Sequence, residues 1–215
     1  DFGVGIGLGG RGEEAVFDAA VGVADGIPIF VAEGNGEAGG GGGAGFGVMA
    51  ILTGIERKYI TRTEGRERLE KIVHFLETAD RFHGAWPHWW NGETGKVKPF
   101  GRKDNGGDLV ETSFMIQGLL CVRQYFKDGD ETEKQLANRI DKLWKEVEFD
   151  WYRNGKNVLY WHWSPEYNWD MNFAVQGYNE CLIMYVLAAS SPTHTVPAEV
   201  YHEGWAANGK INENA

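Results

Sequence analysis

Apolar residues return every three or four positions along most of this chain, and the segments carrying them are joined by alternately short and long connections. Phe46-Gly47-Val48-Met49-Ala50-Ile51-Leu52-Thr53-Gly54-Ile55 is apolar nearly all round, as in a helix buried on most sides. Thr61 or Thr63 caps the next helix. There Leu69, Ile72, Val73 and Leu76 share a face, with Arg66, Arg68, Glu70 and Lys71 outward. Asp108 opens a third helix through Phe114, Ile116, Leu119, Leu120 and Val122, and a fourth, Glu131 to Glu148, aligns Leu136, Ile140, Leu143 and Val147. A fifth is expected over Gly177 to Ala189 and a short sixth from Pro197 to Ala206. Helices paired by short turns and separated by long loops predict an all-α chain of stacked hairpins, the unit of an α/α toroid. Three hairpins make half of a closed ring of six.

The front of the chain does not fit that pattern. More than half of the 31 glycines precede Val48, with Gly39 to Gly43 in a row, and such a stretch packs no core without outside support. Residues 1–44 are therefore read as a separate Gly-rich segment and 45–215 as the helical domain. Gly5, Gly7 and Gly10 match G-x-G-x-x-G, Glu13 to Ala24 suits a short helix and Ile27 to Val31 a buried strand, together a β-α-β fragment. As a dinucleotide site it is weak, because no clear strand precedes the glycines and only Glu33 follows the second strand.

All 9 tryptophans lie from Trp86 to Trp205, and many fall in the long loops. Gly84 to Gly95 reads GAWPHWWNGETG, and a second cluster runs Tyr160-Trp161-His162-Trp163 to Trp169. Flat aromatic faces on loops are costly to expose unless something stacks on them. Asp104, Asp108, Glu111, Asp170 and Glu180 are interleaved with them, which suits a site that grips sugar rings and breaks a glycosidic bond. Filling a large helical core is the competing role for each tryptophan.

The formal net charge is −10 with no basic block, which makes nucleic acid and anionic membranes poor partners; a neutral glucan is compatible. No apolar run approaches the roughly 20 residues of a membrane span. The opening residues carry no signal-peptide pattern. Cys121 and Cys181 sit in apolar helical patterns and read as buried free thiols. His88 and His162 lack H-x-H or H-x3-H spacing, so neither a metal nor another cofactor is expected. Lys96, Lys98, Arg102 and Lys103 read as a solvated loop, and Arg81 as either a partner for an acid in the cleft or a surface residue.

Specific strings accumulate along the helical part: GFGVMA at 45–50, ADRFHGAWPHW at 79–89, DLVETSF at 108–114, YWHWSP at 160–165, GYNECL at 177–182 and SSPTH at 190–194. Over about residues 45–211 the chain resembles the bacterial "putative glucoamylase" family, whose characterised members include endo-β-1,2-glucanases with an (α/α)6 barrel. The resemblance implies hydrolysis of a β-glucan, β-1,2-linked, by an inverting general acid/base mechanism with no metal, in a periplasmic or secreted protein. A glucan transglycosylase of the cyclic-glucan-synthase type, or an inactive carbohydrate-binding module, is the alternative. Residues 1 to about 43 do not resemble the family's opening, and its members continue well beyond this sequence. A second chain or further segment is thus expected to complete the barrel. Residues 4–37 also resemble a subtilisin-like protease segment, with Asn35 in an oxyanion-stabilising position, but no catalytic triad accompanies it.

The family's essential acids map onto Asp104, Glu111 and Glu180. Inversion needs a protonated carboxyl for the leaving oxygen and an ionised one for water. Glu180, expected within the fifth helix and partly buried there, is the expected general acid. Glu111 follows Asp108 by three and reads on its own as half of a capping box. Asp104, by itself a turn residue, becomes through the resemblance a group that positions water or a sugar hydroxyl. Trp86, His88, Trp89, Trp161, His162, Trp163 and Trp169 are the expected sugar-binding residues, and an oligo- or polysaccharide the expected partner.

Overall fold

The computed structural model describes residues 23–24, 27–28 and 39–214. Two short strands, β1 (Val23–Ala24) and β2 (Ile27–Pro28), pair antiparallel. Val23 and Ala24 thus lie in a strand and do not end a helix. The remainder of the expected β-α-β fragment, the G-x-G-x-x-G glycines and Asn35 lie outside the described residues. Next come β3 (Gly39–Gly40), α1 (Gly41–Glu56), α2 (Arg62–Thr78), β4 (Trp89–Trp90), β5 (Val97–Lys98) and β6 (Gly107–Asp108). Then follow α3 (Leu109–Phe126), α4 (Glu131–Lys145), β7 (His162–Trp163), α5 (Leu182–Ser190) and a π-helical turn at Val200–Trp205. The helical part begins at Gly41, inside the segment read as Gly-rich, and Gly39 and Gly40 pair with Trp90 and Trp89.

The helices form two layers. One is α1–α3–α5, with α3 packed on both neighbours; the other holds α2 and α4, which touch each other and back α1 and α3 respectively, while the π-helical turn backs α5. This is an arc of α-hairpins, as the alternation of short and long connections predicts. Capping fixes where the helices start. Thr61 and Glu64 bond reciprocally at the head of α2, and Asp130 and Glu133 do the same at α4. Glu133 also takes a two-point contact from Arg62 at 2.5 and 3.1 Å, tying the two outer helices together at their N-termini.

The α1–α3 contact depends on missing side chains. A Cβ on Gly45 would strike the Phe114 carbonyl, and one on Gly118 would strike the Gly45 carbonyl, so the two backbones approach more closely than any larger residue permits. Val48 and Ile51 fill the seam beside them, fully buried. Phe46 on α1 and Leu182 and Val186 on α5 are exposed, whereas most of α1 is buried or half-buried, as its nearly all-round apolar pattern predicts. No helix among the described residues is long and apolar enough to cross a membrane.

Gly118→Val forces a branched side chain against the Gly45 carbonyl. It is expected to destabilise the fold by about 1–3 kcal/mol or more, read as a lower denaturation midpoint, whereas Gly101→Ala, with open space around it, should lose far less.

Candidate active site

The carboxylates converge where the long loops meet the N-termini of α3 and α5. Asp108 is the centre of this region and is fully buried. As N-cap of α3 it accepts the Glu111 N–H on Oδ1 at 2.9 Å. Its Oδ2 accepts the Trp161 indole N–H at 2.7 Å and lies 2.9 Å from His88 Nδ1. Its own N–H donates to the Trp86 carbonyl, and the following amide, Leu109, to the Trp161 carbonyl, both at 2.8 Å. Three chain segments distant in sequence are therefore held by one side chain. Burial lowers the His88 pKa, but the bond to Asp108 and the charges of Asp108, Glu111 and Asp104 outweigh it, leaving a net rise above 6.5.

Asp104 sits beside this centre and is not the surface turn residue that its neighbours Lys103 and Gly106 predict. It is buried, and burial, aided by the nearby Asp108 charge, pushes its carboxyl up to about 6. The turn is there, closed by the Phe100–Asp104 and Gly101–Asp104 backbone bonds, but the β6–β7 pairing folds it inward. Gly106 and Gly107 permit this, since a Cβ on either would strike the Trp163 carbonyl or the Tyr152 hydroxyl.

Glu111 lies half-buried one turn into α3, and Asp108 caps its amide as the spacing predicts. Glu180 departs from expectation. α5 begins only at Leu182, so Glu180 stands on the preceding turn and is exposed. The chain stays unwound through Tyr178-Asn179, where Asn179 bonds its own neighbourhood, reaching the Gln176 carbonyl and the Cys181 N–H. Glu180 nonetheless faces the same region. The Cys181 thiol is pushed up to about 12 by burial, and Glu180, Asp108 and Glu111 all act on it in the same direction. Of the two cysteines, both free, Cys181 is buried as expected; Cys121 is exposed.

The aromatic residues divide into two groups. Trp86 is fully buried with its indole N–H given to the Leu76 carbonyl, and His162 is 2 % exposed; neither offers a face to a sugar. Both are corrected to structural positions, because β6–β7 and the packing of α2 draw them inward. Arg81 shares that role. Its guanidinium lies over the Trp86 ring, bonds the Gly84 and Leu143 carbonyls and pairs with Glu146 at 2.7 Å, so it is neither a cleft nor a surface residue. His88, Trp89 and Trp161 remain partly open beside the acids, with His88 stacked on the exposed Phe100 at 4.3 Å. Trp163 and Trp169 lie on the other side of the β6–β7 ribbon with His83, Trp151, Tyr152 and Tyr160. In the cationic loop, Lys96 pairs with Asp80 and Lys103 with Asp170.

His88, Asp104 and Asp108 place potential ligand atoms within 4.8 Å of one another. Long-range folding makes this grouping, which local His spacing could not reveal. Since Asp108 already receives the Glu111 amide and the Trp161 indole and lies against His88, the group is better suited to handling protons than to wrapping an ion. The sequence places Asp108 among the acids interleaved with the aromatic loops and at a helix start, but not at the buried centre of the site; its position before a helix was legible, its burial under two aromatic loops was not.

Comparison with known proteins agrees with the sequence strings. Residues 172–215 match the family described as "Putative glucoamylase". A curated relative, the exo β-1,2-glucooligosaccharide sophorohydrolase (non-reducing end) of Parabacteroides distasonis, is 54% identical over 166 residues, covering 76% of this chain and 23% of the relative. An endo-β-1,2-glucanase from Chitinophaga pinensis, solved with sophorotriose and glucose, is 77% identical with a TM-score of 0.80, over 80% of this chain and 41% of that one. A "putative glucoamylase" from Bacteroides uniformis is 45% identical with a TM-score of 0.86, over 90% of this chain and 48% of that one. The chain thus spans less than half the length of each of these proteins. The resemblance is borne out, and the helical arc is part of an α/α toroid.

Asp108→Ala leaves the Trp161 indole, the Glu111 amide and His88 without their acceptor, and is expected to cost about 2–4 kcal/mol. Because the folded-state pKa of His88 is raised, its pairing with Asp108 stabilises fully below about pH 6.5 and that contribution is lost as pH rises through the folded value. Asp108→Asn should flatten this part of the stability–pH profile and return the His88 NMR titration toward its ordinary value.

Proposed function

We propose that this chain supplies acid/base groups and sugar-binding aromatics to an inverting glycoside hydrolase acting on β-1,2-linked glucan. The observation that carries the reading is the unequal pair at the head of α3. Asp104 keeps its proton up to about pH 6, next to Asp108, whose oxygens are engaged by N–H donors. Carboxyls whose environments are driven apart can serve as acid and base in the same site. Asp104 takes the acid role that the sequence assigns to Glu180, because Asp104 has the burial that Glu180 lacks. Its proton passes to the glycosidic oxygen as the C–O bond breaks. Glu111 and Glu180 remain to accept the proton of the attacking water or to hold sugar hydroxyls. His88, Trp89 and Trp161 border the acids and suit the faces and hydroxyls of glucose units. The relatives named for β-1,2-glucan cleavage support the substrate class.

The test uses a β-1,2-glucooligosaccharide, with reducing ends counted, and the same oligosaccharide as an aryl glycoside whose phenolate leaves without a proton. Asp104→Asn should lose at least about 10²-fold in kcat on the first, retain sugar binding by calorimetry, and recover on the second. Recovery by Glu180→Gln instead would return the acid role to Glu180. Full activity in both variants would remove both acid assignments, and no release of reducing ends by the unsubstituted protein would remove the hydrolase reading.

A further inference from the structure

One contact in the acid cluster does not close as ordinary hydrogen bonding. Asp104 Oδ1 lies 3.3 Å from His162 Nε2, yet that nitrogen already accepts the Gly106 N–H at 3.1 Å. A ring nitrogen of neutral imidazole holds either a proton or a lone pair. Receiving an N–H donor fixes Nε2 as the lone-pair atom and puts the ring proton on Nδ1, a buried nitrogen with no hydrogen-bond partner among the described residues. A second acceptor, an ionised carboxylate oxygen, would then face that lone pair inside a buried site, where repulsion is poorly screened. Asp104 Oδ1 has no hydrogen-bond partner among the described residues to draw it elsewhere.

We infer that His162 is a positioning residue that holds Asp104 as a neutral carboxylic acid. The Oδ1–H points at a Nε2 lone pair that the Gly106 N–H also shares. The inference rests on the reading of Asp104 as proton donor and adds where the proton waits before the reaction. The β6–β7 pairing of Asp108 with His162 sets the geometry, so the two acids and the ring are placed by one ribbon.

The surrounding charges agree. Burial lowers His162 to about 4, so its ring is neutral near pH 7 and cannot donate from both nitrogens. Around Asp104, the Asp108 charge from the head of α3 raises its affinity for a proton, and His88 from the aromatic loop lowers it. Glu111 acts on His88. Lys103, next in the turn, is engaged with Asp170 at 3.2 Å. His162 is therefore the near neighbour whose lone pair favours the protonated acid through a direct contact.

Nitrogen-15 NMR of the unmodified protein at pH 7 tests the tautomer without any substitution. The expected result is a protonated Nδ1 and an unprotonated Nε2 on His162; a proton on Nε2 overturns the inference. In a carboxyl carbon-13 titration, His162→Leu should lower the Asp104 midpoint by at least about one unit, a tenfold weaker hold on the proton. The alkaline limb of kcat/KM on the oligosaccharide should move with it, while KM changes little. An unmoved Asp104 midpoint in a folded variant also overturns the inference. Both NMR readouts stand apart from turnover, so a protein that cleaves no glucan would refute the hydrolase reading and leave this one to be decided by the spectra.

Discussion

Asp108 is a carboxylate with no exposed surface, and everything around the site is arranged to make that tolerable. Removing such a group from water costs several kcal/mol unless donors replace the lost solvent. Here they come from the first turn of α3, from the Trp161 indole and from His88. Satisfying one side chain consequently fixes the start of a central helix and docks both aromatic loops against it. The same buried charge then acts outward, drawing a proton toward His88 and toward Asp104. Structure and chemistry at this site share a single electrostatic origin.

The aromatic loops divide the work according to how far each ring is drawn inward. Trp86, under the Arg81 guanidinium, anchors the first loop to α2 and α4 and is part of the core. His88 and Trp89, only a few residues on, keep open surface beside the acids. The same alternation appears on β7, where His162 turns to Asp104 and Trp163 turns to His83 and Trp151. Neighbouring residues on a strand face opposite ways, so adjacent positions in one motif serve different ends.

Burial separates the three candidate acids more sharply than their spacing does. Asp104 gains its altered proton affinity from desolvation and a like charge, both products of chain segments far apart in sequence. Glu111 is placed by the capping geometry of α3, a local effect. Glu180 sits on an unwound turn whose asparagine bonds back to the loop, leaving its carboxyl in solvent while still near Cys181. An acid expected to be buried by helical neighbours is thus exposed because the helix begins two residues later.

Local periodicity and capping chemistry by themselves determined the helices, their hairpin pairing and several of their starts. Helix geometry repeats every few residues, so Leu69, Ile72 and Val73, or Thr61 with Glu64, carry their meaning within one turn. The family strings likewise pointed to the region of the site. What only the tertiary structure decided was which residues lie dry and which charges meet. Asp104 reads as a turn residue until β6–β7 pairing folds it inward beside Asp108, and His162 reads as a sugar ligand until that ribbon aims it at Asp104. Burial and proton affinity depend on the dielectric and the charges contributed by distant segments, and those exist only once the chain has closed around them.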